Sequence, residues 1–148
     1  MITNHQKNLA TFIHLSTFSR FIFPFGNIIA PIILWIANKD KSDFIDTHGK
    51  QAINFQFSIL LYAMIIGILT IPFFAFSLFN HLDILDFHAF EGIHINISDP
   101  SPLFYIGGSL GLLAVIGFIL ELIFIINASL KAKDGQEYQY PLTIEFIK

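Results

Sequence analysis

The sequence predicts an all-α membrane protein with three or four transmembrane helices, and its composition and the spacing of its charges lead to that prediction. Of its 148 residues, 54% are hydrophobic and 13% are charged, whereas a soluble domain normally carries about 25% charged residues. Three apolar blocks lie at about 21–37, 57–79 and 103–130, with Arg20 at one edge and one acid, Glu121, inside. Because a helix needs roughly 20 mainly apolar residues to cross a bilayer, lipid is the expected solvent.

The first apolar region, residues 9–37, is predicted to form a short helical hairpin. Pro24, Gly26 and Asn27 interrupt it near its middle, and proline and glycine together favour a kink or a reversal. The two arms are expected at 9–23 and 26–37. A single kinked span over 13–37 is the alternative, and it would leave three spans instead of four helical segments.

The rest of the chain is predicted to complete a single membrane domain over residues 1–148. The loop at 38–50 carries the densest charge. A second polar stretch, at 80–102, is acidic and contains histidines. The predicted elements are a helix at 47–79, an outer loop at 80–102, a helix at 103–131 and a polar tail at 132–148.

The distribution of basic residues predicts the orientation of these segments. The eight lysines and arginines are Lys7, Arg20, Lys39, Lys41, Lys50, Lys131, Lys133 and Lys148. Positively charged loops stay on the cytoplasmic side. The sequence therefore predicts a multi-pass protein of the cell membrane with a cytoplasmic C-terminus, a lysine-free outer loop and, if the hairpin forms, a cytoplasmic N-terminus.

Polar residues recur at helical spacing in the second apolar block and are expected to face protein. They are His48, Gln51, Asn54, Ser58 and Tyr62, while Gln56 lies on the opposite face and is expected to contact a different helix. Polar groups at membrane depth are costly and find partners inside the bundle. Hydrogen bonds between helices are the first interpretation of this stripe, and a polar path for a substrate is the second.

Glu121 is the acid expected near the bilayer centre, because it precedes the basic residue Lys131 by ten positions, about 15 Å along a helix. It is expected either to pair with Arg20 or His14 or to relay protons. The full set of candidate intramembrane polar residues is His14, Arg20, Asn27, His48, Gln51, Asn54, Gln56, Ser58 and Glu121. Small residues at Gly107, Gly111, Ala114 and Gly117 predict close approach of another helix.

No catalytic, cofactor or metal site is predicted. The sequence lacks cysteine, and no nucleophile elbow, phosphate-binding loop, dinucleotide motif or zinc motif occurs. The outer loop contains metal-binding residue types, His81, Asp83, His88, Glu91 and His94, but Gly92 interrupts a helical arrangement of them, and a solvated loop is the preferred interpretation. The net charge of −3 offers no basic stripe for nucleic acid.

Several short motifs together resemble a family of small, uncharacterised bacterial and archaeal membrane proteins, distantly similar to the inner-envelope protein-import component of chloroplasts. The matching residues are His14 and Leu15; Pro24, Gly26, Asn27, Ala30, Pro31 and Trp35; Lys39 and Asp40; His48, Gly49, Asn54, Phe55 and Gln56; and Ala132, Gly135, Tyr138, Tyr140 and Pro141. The resemblance implies a fold and a membrane location and no activity. The long outer loop and Glu121 depart from the family pattern.

Two functions from different classes follow from these patterns. The first is a helix-packing scaffold or an accessory factor in membrane protein biogenesis or translocation. A protein of this kind would not be an enzyme. The second is a small transporter or channel subunit that uses Glu121 and the polar stripe. The expected partners are the lipid bilayer and other membrane proteins or a second copy of the chain.

Overall fold

The computed structural model describes residues 2–81 and 102–148, and this part of the chain is helical and contains no strand. The α-helices are α1 (Asn4–Leu15), α2 (Gly26–Ile36), α3 (Asp43–His81) and α4 (Pro102–Asp134), with 3₁₀ turns at Ser16–Phe21 and Lys39–Lys41. The predicted all-α class is confirmed. The predicted outer loop, apart from its two ends, lies outside the described residues, as do its candidate metal ligands after His81.

Capping residues explain why two helices begin earlier than the apolar pattern predicts. α1 begins at Asn4 instead of near residue 9, because Thr3 and Gln6 exchange side-chain and backbone hydrogen bonds in a capping box. α3 begins at Asp43 instead of near residue 47, because the Ser42 hydroxyl accepts a hydrogen bond from the Ile45 amide at 3.3 Å. Hydrophobic periodicity does not detect such polar first turns.

α4 runs past its predicted end at residue 131 and stops at a glycine. Gly135 has φ +78°, the left-handed conformation that glycine adopts without strain. Its amide donates to the Ala132 carbonyl, and the Gln136 amide donates to the Lys131 carbonyl, which is the Schellman pattern of a helix end. The following residues, named here the 135–148 segment, are extended or in turns.

The described residues fall into two compact units, of which the first contains all the candidate site residues. It comprises Met1–Tyr62 and Ile119–Lys148. Three small apolar clusters bind its helices together, and each joins residues distant in sequence. Their members are Ala10, Phe44 and Ala132; Ile13, Ile45 and Ala52; and Phe55, Ile125, Ala128 and Tyr140.

The first apolar region folds back on itself in this unit, and it is named here the α1–α2 hairpin. The chain reverses at Phe25, which has φ 61°, and Gly26 follows because a Cβ there would overlap the Ser19 carbonyl. Lys7 Nζ donates to the Asp134 carbonyl at 3.4 Å, and Trp35 Nε1 donates to Asp46 Oδ1 at 2.8 Å. Both ends of the hairpin therefore lie beside the Asp43 end of α3 and the Asp134 end of α4.

Among the described residues, two helices are long and apolar enough to cross a membrane, over Asp43–Pro72 and Tyr105–Asp134. Only 33% and 11% of their most apolar windows are buried, whereas a core helix of a soluble protein is mostly buried. α2 has 11 residues, about 17 Å, which is well short of the roughly 30 Å hydrocarbon core. The structure thus supports two spans, and the expected count of three or four is not confirmed.

The second unit, Ala63–Phe118, contains parts of α3 and α4 and exposes large apolar side chains such as Ile68, Leu112 and Leu113. The small residues predicted to meet another helix lie here. Apart from the neighbouring residues and backbone of α4 itself, no described atom comes within 4 Å of a Cβ built at Gly111 or Gly117. The predicted close helix contact is therefore not made at these two positions in the described part of the chain.

Candidate functional site

Four polar side chains from separate elements form one network, named here the central network. Arg20 Nη1 donates to Glu121 Oε2 at 2.8 Å, and its Nη2 donates to Gln56 Oε1 at 3.4 Å. Asn27 Nδ2 donates to the same Gln56 oxygen at 2.6 Å. Gln56 Nε2 in turn donates to Glu121 Oε1 at 3.3 Å, so that both carboxylate oxygens have a donor.

The central network lies at the middle of both candidate spans. Gln56 is 13 residues after Asp43, where one span begins, and Glu121 is 13 residues before Asp134, where the other ends. The side chains of Gln56 and Glu121 are almost fully buried. An isolated carboxylate would be very costly there, and the cationic Arg20 compensates it directly.

This arrangement keeps the hairpin tip and the two long helices together. Arg20 and Asn27 stand on either side of the reversal in the α1–α2 hairpin, while Gln56 belongs to α3 and Glu121 to α4. Of the two partners expected for Glu121, the structure shows Arg20. His14 lies elsewhere. Gln56, on the opposite face of α3 from the stripe, contacts Asn27 of α2 and Glu121 of α4.

A second buried group links His48, His14 and Tyr140 and is named here the histidine–tyrosine chain. His14 Nε2 is 2.8 Å from His48 Nδ1, and the Tyr140 hydroxyl is 2.9 Å from His14 Nδ1. Burial raises the pKa of the Tyr140 phenol well above its ordinary value of 10.0. The hydroxyl therefore keeps its proton at neutral pH and can donate it to His14.

The direction of the hydrogen bonds can be followed from Tyr140. When its hydroxyl donates to His14 Nδ1, a neutral His14 carries its proton on Nε2 and donates it to His48 Nδ1. His48 Nε2, the nitrogen at the far end, is buried and has no hydrogen-bond partner within the described residues.

Neither group forms a metal site by its residue types. No cluster of three or more histidine, aspartate or glutamate side chains suited to an ion occurs within residues 2–81 and 102–148. The nitrogens of His14 and His48 face each other instead of converging on a common point. Hydrogen bonding and packing are what this arrangement of side chains can do.

The part of the polar stripe formed by Asn54, Ser58 and Tyr62 binds an extended segment instead of a helix. Asn54 Oδ1 accepts from the amides of Phe146 and Ile147, and its Nδ2 donates to the Ile147 carbonyl. One turn further, Ser58 Oγ accepts from the Ile144 amide at 2.8 Å. These bonds correct, for Asn54 and Ser58, the prediction that the stripe joins helices, because an extended backbone has unpaired amides that a helix lacks. His48, at the start of the stripe, does join α3 to α1 through His14.

The candidate residues therefore divide into three sets. Arg20, Asn27, Gln56 and Glu121 form the central network; His14 and His48 belong to the histidine–tyrosine chain; Asn54 and Ser58 hold the 135–148 segment. Gln51 is half-buried and lines a recess beside Asn54. The sequence reasoning missed the role of Tyr140, although the aromatic Tyr138–Tyr140 stretch in a supposedly polar tail was a signal for burial.

A family model described as the magnetosome magnetite crystal formation protein family matches residues 5–147. The matched range includes both candidate spans and almost all of the hairpin and of the 135–148 segment. None of the curated proteins and none of the solved structures matches the chain.

Proposed function

The chain belongs to the magnetosome magnetite crystal formation protein family, and we propose that it acts in magnetite crystal formation as a non-catalytic protein embedded in a membrane. The observation that carries this proposal is the family match over residues 5–147, combined with two helices apolar enough to cross a bilayer. The family's description supplies the process, and the fold supplies the membrane.

The polar contacts support a scaffold that works through protein contacts. Glu121 is neutralised by Arg20 and hydrogen-bonded by Gln56, and Asn54 and Ser58 are bound to the 135–148 segment. Side chains with these partners stabilise one packing arrangement of the helices. A residue that binds and releases a substrate needs a free donor or acceptor instead.

The test is complementation in a magnetosome-forming bacterium that lacks its own member of the family. Expression of this chain should restore crystal dimensions, measured by electron microscopy of whole cells. If the protein is present in the membrane at normal abundance and the crystals keep the dimensions seen without it, the proposal is contradicted.

A transporter or channel subunit that uses Glu121 is the second candidate, motivated by an acid at the middle of a span. It predicts that Glu121→Gln abolishes a flux in proteoliposomes while the protein stays folded. The scaffold predicts no flux in either protein. Comparing the two proteins in the same vesicles separates these functions.

An accessory role in membrane protein biogenesis or translocation is a narrower form of the scaffold hypothesis. It is supported by the sequence resemblance alone, because the family match carries no link to chloroplast import. Crosslinking in intact cells should then recover components of the secretion machinery. Recovery of other partners only would contradict this form and leave the crystal-formation proposal standing.

A further inference from the structure

We propose that the α1–α2 hairpin and the 135–148 segment are re-entrant: each enters the bilayer at the Asp43 and Asp134 ends of the spans, reaches its middle and returns. Their exposed apolar side chains contact the acyl chains of a single leaflet. This inference adds two membrane-embedded elements to the two candidate spans and concerns residues previously expected to cross the membrane or to lie in water.

The hairpin's contacts define how deep it reaches. Its outer ends are fixed at the ends of the spans, through Lys7 with Asp134 and Trp35 with Asp46. Its tip is fixed at their middle, where Arg20 contacts Glu121. Along α4, the distance from Asp134 to Glu121 is 13 residues, or about 20 Å. The hairpin thus turns back about halfway along a 30-residue span, which is about 45 Å long.

The 135–148 segment reaches a similar depth and then returns along α3. It leaves α4 at Gly135, and the Tyr62 hydroxyl donates to the Leu142 carbonyl at 2.7 Å. Further along, Ser58 binds the Ile144 amide and Asn54 binds the Ile147 amide. As the segment's residue numbers rise, the numbers on α3 fall, so the segment runs back toward the Asp43 end.

The hydrogen bonds of this segment are those that an irregular backbone needs inside a membrane. Lipid offers no donors or acceptors, so non-helical backbone at membrane depth must be satisfied by protein. Asn54, Ser58 and Tyr62 lie four residues apart on α3, on one face of the helix. Together they pair backbone groups of Leu142, Ile144, Phe146 and Ile147.

The exposed side chains at both turning points are large and apolar. Ile22 at the hairpin tip is 84% exposed, and Leu142 at the turn of the segment is 82% exposed. Phe21 and Phe25 at the tip, and Ile144 and Phe146 on the returning limb, are also exposed. Lipid-facing residues of α3 and α4 such as Leu60 and Ile119 are exposed at the same depth, so one apolar surface continues across these elements.

The two charged residues of the returning limb, Glu145 and Lys148, line one recess with Lys50 near the Asp43 end of α3. Long charged side chains at this level reach the interface. The deepest part of the segment, around Leu142, carries no charge.

Depth measurement with single spin labels tests the proposal, and the absence of native cysteine makes each label unique. Ile22→Cys and Leu142→Cys are the test variants, and both positions are exposed, so the substitutions disturb little packing. Ile119→Cys marks the middle of a span, and Lys133→Cys marks its end. Each protein is reconstituted in liposomes, and collision rates with oxygen and with a water-soluble nickel chelate are compared.

The expected result is that the oxygen-to-nickel ratio measured at Ile22 and at Leu142 equals the ratio at Ile119 and differs from the ratio at Lys133. A ratio equal to that of Lys133 at either position would show that the element lies in water and would overturn the proposal for it. As a second measurement, an impermeant maleimide should label Asn4→Cys and Asp40→Cys from the same side of the vesicle. Labelling from opposite sides would mean that the hairpin is a complete span, which also overturns the proposal.

Discussion

Arg20 and Glu121 lie 101 positions apart in the sequence, yet Arg20 Nη1 is 2.8 Å from Glu121 Oε2 at the centre of the fold. The pair fixes the tip of the α1–α2 hairpin to α4. Its hydrogen bonds through Gln56 extend the same connection to α3. The consequence is that three elements depend on one charge pair for their relative positions.

The pair should show strong energetic coupling. Glu121→Leu leaves Arg20 without its counter-ion and is expected to lower the free energy of unfolding by about 3 kcal/mol. Arg20→Met combined with Glu121→Leu should lose much less than the sum of the two single changes, because no unpaired charge remains. Denaturant unfolding in detergent measures all three variants. Additive losses would show that the two side chains do not interact.

Tyr140 predicts a loss of stability at alkaline pH. Its pKa in the folded protein lies well above 10.0, the ordinary value for an exposed phenol, because of burial and the nearby Tyr138 and Glu121. Above pH 10 the unfolded chain loses this proton and the folded protein retains it, so the free energy of unfolding falls as the pH rises. Thermal unfolding measures the slope of stability against pH. A range from about pH 8 to about 11.5 extends more than one pH unit on each side of that ordinary pKa.

Tyr140→Phe is the variant that isolates this effect. It keeps the ring stacked on Phe55, with centroids 4.1 Å apart, and removes the ionisable group and the bond to His14. It should be less stable at neutral pH by about 1–3 kcal/mol and should show a flatter alkaline slope. Tyr138→Phe, whose phenol is only partly buried, should flatten the slope less. An equal effect of both variants would contradict the assignment to Tyr140.

Asn54 should control the attachment of the 135–148 segment. Asn54→Ala removes the acceptor for the Phe146 and Ile147 amides and the donor to the Ile147 carbonyl. Hydrogen exchange measured by mass spectrometry should speed up in residues 142–148 with little change in α1 or α4. Gln51→Ala, one turn away and without such bonds, is the matched control and should leave exchange near the wild-type rate.

Gly49 should tolerate no side chain, because a Cβ there would overlap the ring of Trp35. Gly49→Ala is expected to displace that ring, break its hydrogen bond to Asp46 and destabilise the protein by about 1–3 kcal/mol. Trp35 is the single tryptophan, so its emission spectrum reports the displacement directly. Gly67→Ala, with open space at its Cβ, should leave the spectrum unchanged and should not lower the stability, because alanine favours a helix more than glycine does. A normal spectrum for Gly49→Ala would contradict the predicted overlap.

The sequence predicts the helical class and the two long helices, α3 and α4, well, because long apolar blocks are visible directly in the residue order. It also suggests Arg20 as a partner for Glu121, since a carboxylate in an apolar helix needs a cation. It does not predict what Asn54 and Ser58 bind. Their spacing shows that they share a face, but the group that covers the face depends on tertiary structure.

The 135–148 segment is the clearest case of information that residue patterns lack. Lysine, glutamate and glutamine near its ends make it read as a polar tail, and no period of 2 or 3.6 marks its apolar residues. Beyond the buried Tyr140, its position is set by hydrogen bonds from α3 to its backbone, which any sequence could make. The helix starts at Asn4 and Asp43 were missed for a related reason, since capping is local and polar.

The reversal at Phe25 and Gly26 has a consequence for the membrane itself. An element that turns back at the level of Arg20 displaces lipid from one leaflet and leaves the area of the other unchanged. Such a difference in area between leaflets is relieved by bending, so the bilayer around the protein is expected to bulge toward the side that the hairpin enters. A protein of this shape would accumulate on small, strongly curved vesicles more than on flat membrane.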